Sequence, residues 1–287
     1  MNTPMPYQIP ILGTVADGYR FLVGRFTAWF QLAIVPLVIW VVVHTAVSLG
    51  WLAGANLGLG SDEPLAAYWL LNAPFFIAYL LVTVALLLYA VALHRLVLDL
   101  PGSAGAFAWL TWHARHLRYV GQAVIVAAIT LIGIIVSGTF VPMVGAIAGM
   151  TGVLESTAGQ VTLAVIILLL FAVPIALLSC MVLPALPAAA AEDHAVTLSE
   201  ASNQAKGNLW RMTLTFMLGG ILPFWLIERG ISLFIQRTAT DPGAELPAEI
   251  TVIIVNFLGF TVLIVLLTLI YRRLRGNKTL RVDQTPR

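Results

Sequence analysis

Between Arg118 and Glu192 the chain carries a single charged residue, Glu155. A helix needs about 20 apolar residues to cross a hydrocarbon core of roughly 30 Å. That stretch therefore accommodates two crossings, and Glu155 marks the turn between them. Across 287 residues only 10% are charged and 60% are apolar, against about 25% and about 45–50% in soluble domains. Fifteen basic and thirteen acidic side chains are too few to coat a soluble surface of this size. A soluble enzyme, a nucleic-acid binder and a disordered regulator are excluded as readings of the whole chain. The expected fold class is all-α: a polytopic membrane bundle of six transmembrane helices, with two or three amphipathic helices at the cytoplasmic interface.

Six apolar stretches carry this expectation: 26–49, 67–93, 119–147, 159–186, 209–227 and 249–271. The fifth is the shortest, with sixteen uncharged residues between Arg211 and Glu228. At about 1.5 Å per residue it spans the core only if those charges lie at the interfaces. Thirteen of the fifteen Lys and Arg residues fall on one side of this scheme, and only Arg229 and Arg237 on the other. Positive residues mark the cytoplasmic side, so both termini are expected in the cytoplasm, at a bacterial inner membrane. The outer connections carry Asp62, Glu63, Glu155, Asp241, Glu245 and Glu249. No cleavable signal is apparent: the first nineteen residues hold no Lys or Arg, and the first apolar run exceeds the roughly 7–15 residues of a signal core. Pro36, Pro74, Pro142, Pro174 and Pro223 sit within five of the stretches, and each removes a helical donor. The lone cysteine, Cys180, forbids an intramolecular disulfide and a Cys-based zinc site.

The chain also repeats itself. Thr14–Gly24 (TVADGYRFLVG) and Thr197–Gly207 (TLSEASNQAKG) align without a gap, each with a Thr, an acid three residues later and a Gly ten residues on. Thr-x-x-Glu is a capping box at a helix start. A third segment, AFAWLTWHARHLRY at 106–119, has the same amphipathic outline, with Trp109 and Trp112 suited to the headgroup layer. The expected organisation is one membrane domain, 1–275, built from three helix-plus-hairpin units at 8–99, 102–187 and 195–275. A short basic tail, 276–287, follows.

Leu-Pro-Ala at 183–185, Glu192 and Asp193, then Ala201, Lys206, Gly207, Asn208 and Trp210 carry a resemblance. So do Tyr19, Arg25 and Phe26 near the first span. In these residues the chain resembles a group of uncharacterised bacterial six-span membrane proteins related to the membrane domain of glycerophosphodiester phosphodiesterases. The resemblance implies a six-helix fold and an inner-membrane location. It implies no activity, because the phosphodiesterase chemistry belongs to a soluble domain.

Catalytic signatures are missing: there is no His-Glu-x-x-His, no phosphate-binding glycine loop and no pair of carboxylates within a span. His113 and His116 share a helical face, with His94 on the same side of the membrane, but Arg115 and Arg118 beside them repel a cation. No metal or cofactor is expected. Polar residues in hydrocarbon need partners, and His44, Asn72 and Asn256 lie at depths that allow a small polar cavity. His44 has no carboxylate or nucleophile at matching depth in this reading. The expected function is therefore non-enzymatic: organising or sensing the envelope through membrane lipids or a partner protein at the cytoplasmic interface. The residues expected there are Trp109, Trp112, Arg115, Arg118, Lys206 and Arg211, with anionic headgroups as natural counterparts. The alternative is a permease or channel for a small or amphiphilic solute.

Overall fold

A computed structural model describes residues 8–49, 65–101, 112–150, 173–238 and 245–276, with single positions between 105 and 110 and between 156 and 163. Within these, the side chains of 65–72, 234–238 and most of 133–150 lie outside the description. So do Trp109, Glu155, most of 159–172, the outer connections bearing Asp62, Glu63 and Asp241, and the tail beyond 276.

The described elements are all helical. They are α1 (Ile11–Gly24), α2 (Phe26–Ser48), α3 (Leu65–Val97), α4 (Ala114–Met150), α5 (Val173–Val182), α6 (Ala185–Ala190), α7 (Leu198–Ala205) and α8 (Leu209–Phe216). A π-helical segment, Met217–Ile221, leads into α9 (Leu222–Thr238), and α10 runs Glu245–Arg275. Among the described residues, four stretches are long and apolar enough to cross a membrane: Phe26–Ser48, Ala73–Val97, Leu209–Leu233 and Leu246–Arg275. They coincide with the first, second, fifth and sixth apolar stretches of the sequence. The third expected stretch lies in α4, and the described part of the fourth includes α5.

Contacts group the chain into two compact units. The first comprises Met1–Ile11, Ala114–Thr215 and Ile270–Arg287. Here α4 packs on α5 and α6, and α5 packs on α7. All six residues of α6, ALPAAA, are buried, since small side chains let helices approach closely. Thr197 caps α7, its hydroxyl accepting the Glu200 N–H at 3.2 Å. The Glu200 carboxylate turns to Gln204 instead, so half of the capping box forms. Thr14, aligned with Thr197 in sequence, is buried within α1 rather than at its start.

The second unit comprises Leu12–His113 and Phe216–Leu269, with α2 packed on α3. The break between α1 and α2 falls at Arg25, and the Trp29 indole donates to the Leu22 carbonyl at the open end of α1. The core is a polar-studded stack of α3 on α10. Thr261 donates to its own helix at Phe257, so it accepts from the Tyr89 hydroxyl at 2.9 Å. Thr268 likewise donates to Ile264 and accepts from His94 Nδ1 at 2.6 Å. His94 is fully buried in this stack.

Three helix ends share one backbone device. Asp99 after α3, Glu192 after α6 and Gly276 after α10 all adopt positive φ, at 55°, 59° and 63°. At the first two, six-to-one bonds close the turn: Leu100 N–H to Arg95 and Asp193 N–H to Ala188, each 2.9 Å. This is the left-handed cap that usually takes Gly. Each acid at such a cap pairs with an arginine near the start of the partner helix: Arg25 with Asp99 and Arg115 with Glu192.

Candidate functional site: a polar cavity in the second compact unit

In α2, Trp40 and His44 are four residues apart and so share a face. In α10, Glu249, Val252, Ile253 and Asn256 follow the i, i+3, i+4, i+7 pattern of one helical stripe. With Tyr79 of α3 and Ala248 they line an open cavity of about 520 Å³. That size falls within the roughly 300–1,000 Å³ typical of small-molecule sites. Behind it, Trp40 meets Phe257 edge-on at 6.2 Å, and Phe257 meets Tyr89 at 5.2 Å. The cavity floor is thus fixed by the α3–α10 stack.

His44 lies eighteen residues along α2 from Phe26, about 27 Å at 1.5 Å per residue. The cavity is therefore at the opposite end of the α2–α3 hairpin from the Arg25–Asp99 pair. His44 and Asn256 are half-buried and Glu249 is exposed. Among the described residues none hydrogen-bonds or pairs with these three side chains. Polar groups in a largely apolar surround normally find partners, so their free donors and acceptors are available to a ligand.

Of the three polar residues singled out in the sequence, the structure brings His44 and Asn256 together. Asn72 lies in α3 with its side chain outside the described residues. Sequence reasoning missed Glu249, because a charge at a span end reads as an interfacial marker. The seven-residue spacing from Asn256 was legible, but it does not show which neighbouring helix that stripe faces. The expectation that His44 lacks a carboxylate neighbour is corrected accordingly: α10 begins at Glu245, and its first turns carry Glu249 to the same cavity.

The residues expected at the cytoplasmic interface make the following contacts within their own chain. Arg115 bonds Glu192 at 3.1 Å, with its side chain 14% exposed. Arg118 donates to His194 Nδ1 and to the carbonyls of Asp193 and Val196. Arg211 donates to the Ile9 carbonyl and to Gln8, while Asn208 accepts the Ile9 N–H at 2.9 Å. These arginines serve carbonyls and acids of their own chain, since helix ends leave acceptors that a guanidinium fork can satisfy. Lys206 is exposed and bonds Asn203 nearby. Trp112 is 55% exposed, and Trp109 lies outside the described residues. Among the described residues, no group of three or more His, Cys, Asp or Glu side chains is placed to hold a metal ion. Against known proteins, no family model, curated protein or solved structure matches this chain.

Proposed function

We propose that this chain is a non-enzymatic, six-span protein of a bacterial inner membrane, with both termini cytoplasmic. In this reading it senses or organises its membrane by binding an amphiphilic solute. The observation that carries the reading is the cavity where His44, Asn256 and Glu249 converge without partners among the described residues. Among the described residues the lining holds an acid and an imidazole but no Ser, Thr or Cys nucleophile, which favours binding over covalent chemistry. The three-copy organisation is supported by the left-handed caps at Asp99, Glu192 and Gly276. These fall where the second, fourth and sixth spans of the scheme end, and two of them close a hairpin base through an arginine.

A permease is the second reading, favoured by the π segment Met217–Ile221 in the second unit. Such segments often mark functional sites. Reconstituted vesicles separate the two. Saturable retention of an amphiphile that is lost in His44→Ala and Asn256→Ala, without transfer across the bilayer, supports sensing. Transfer that depends on both residues supports the permease. Retention or transfer unaffected by either substitution removes the cavity from the function.

A further inference from the structure

The same cavity carries a preference for charge. Among the described lining residues Glu249 is the only acid, and there is no Lys or Arg. Trp40 and Tyr79 line the same cavity, and aromatic faces attract a cation within about 6 Å. The Asn256 amide oxygen adds an acceptor. Ala248, Val252 and Ile253 complete an apolar wall that suits a hydrocarbon chain.

We infer that the ligand of this cavity is a cationic amphiphile, an ammonium headgroup on a hydrocarbon chain, with the headgroup beside Glu249 between Trp40 and Tyr79. The inference rests on the binding role proposed above and adds the chemical class. An anionic amphiphile would place a second negative charge beside Glu249, and a neutral one would forgo the ion pair.

The test uses the full-length protein in nanodiscs of neutral phosphatidylcholine. Radiolabelled dodecyltrimethylammonium is the probe, with unlabelled dodecyl sulfate and dodecyl maltoside as competitors below their micellar concentrations. Saturable binding of one probe per chain is expected, displaced by unlabelled cation far better than by either competitor. Glu249→Gln, isosteric and at an exposed position, is expected to weaken binding about tenfold, the order of one partly screened charge pair. Trp40→Leu is expected to weaken it severalfold, by about the worth of a cation–π contact. Equal displacement by all three amphiphiles, or an unchanged affinity in Glu249→Gln, overturns the charge preference while leaving a binding cavity. Absence of saturable binding when each of the three amphiphiles is labelled in turn overturns the cavity-binding reading itself. Matching unfolding temperatures for wild type and variants establish that a lost affinity is not a lost fold.

Discussion

The Tyr19 hydroxyl donates to the Gly219 carbonyl at 2.8 Å, the carbonyl that lies four residues before Pro223. A helical carbonyl at that position expects the N–H of residue 223, which proline lacks. The chain widens there into the π segment Met217–Ile221, and a side chain from α1 supplies the missing donor. Two glycines permit the approach. A Cβ on Gly219 would sit 2.9 Å from Val15 of α1 and 2.8 Å from Leu266, and one on Gly220 would sit 2.5 Å from Leu263. A proline that reads in sequence as a kink thus leaves the carbonyl that fastens α1 to the stretch Leu209–Leu233.

Tyr19→Phe keeps the ring and removes the donor, leaving a half-buried carbonyl unmet. We expect a loss of about 1 kcal/mol, toward the low end for an unsatisfied group because Tyr19 is partly exposed. In a Pro223→Ala background, where residue 223 regains its N–H, the same substitution is expected to cost clearly less. Apparent unfolding free energies of the four proteins in detergent give the coupling. An equal cost in both backgrounds contradicts the link between Tyr19 and Pro223.

Burial also raises the Tyr19 phenol above its ordinary value of 10.0. A group whose folded value is raised contributes its full stability below the unfolded value and loses it as pH rises through the folded one. Unfolding temperatures should therefore fall more steeply above about pH 10 in wild type than in Tyr19→Phe. Parallel alkaline profiles would remove the phenol from the account.

Hydropathy made the membrane spans legible to within a residue or so at α2, but less so where a charge stood inside a helix. Glu228 and Arg229 read as the end of the fifth span, yet α9 continues to Thr238, because a helix backbone passes through an interfacial charge without penalty. The Thr-x-x-acid spacing located the cap at Thr197 but misplaced Thr14. The first helix starts earlier, at Ile11, directly after Pro10, and proline readily opens a helix. His44 and Asn256 were visible as polar positions in apolar runs. Their convergence with Glu249 depends on how α2 and α10 are rotated, which periodicity on one helix does not specify. The left-handed caps at Asp99 and Glu192 were hidden for another reason: the residue type that announces such a cap is Gly, and here acids occupy it.

Glu192 offers a way to separate strain from pairing. A non-glycine residue in the left-handed region costs roughly 1–2 kcal/mol. Glu192→Ala loses the Arg115 pair and keeps the strain, whereas Glu192→Gly loses the pair and relieves it. The glycine variant should be more stable than the alanine variant by about 1 kcal/mol in chemical unfolding. Equal stabilities would mean that the cap is not retained in the variants.

Asp193 is the most heavily used acid in the first compact unit. Its Oδ2 accepts the Tyr271 hydroxyl at 2.7 Å and pairs with Arg275 at 2.6 Å, while Oδ1 accepts the Ala195 N–H. Its side chain is 9% exposed and that of Arg275 20%. Asp193→Asn leaves a guanidinium short of its partner. The expected loss is about 2–3 kcal/mol, below the 3–5 of a fully buried pair because Arg275 keeps some water. Asp99→Asn, which breaks an exposed pair with Arg25, should cost at most about 1 kcal/mol and be masked by salt. A salt-insensitive loss at Asp99 as large as that at Asp193 would reverse this ranking.

Topology is open to a direct measurement because the native background is quiet: Cys180, the one cysteine, is buried. On the proposed topology Arg25, Arg115, Lys206 and Arg211 are cytoplasmic, because positive residues mark that side. The proposed topology puts positions 62, 155, 241 and 249 on the periplasmic side. Single cysteines at 62, 155, 241 and 249 should react in intact cells with a thiol reagent that cannot cross the inner membrane. Cysteines replacing Arg20 and Lys206 should react only after the membrane is opened. Labelling of Lys206→Cys in intact cells, or protection of the position-249 cysteine, would invert the scheme and move the cavity to the cytoplasmic side.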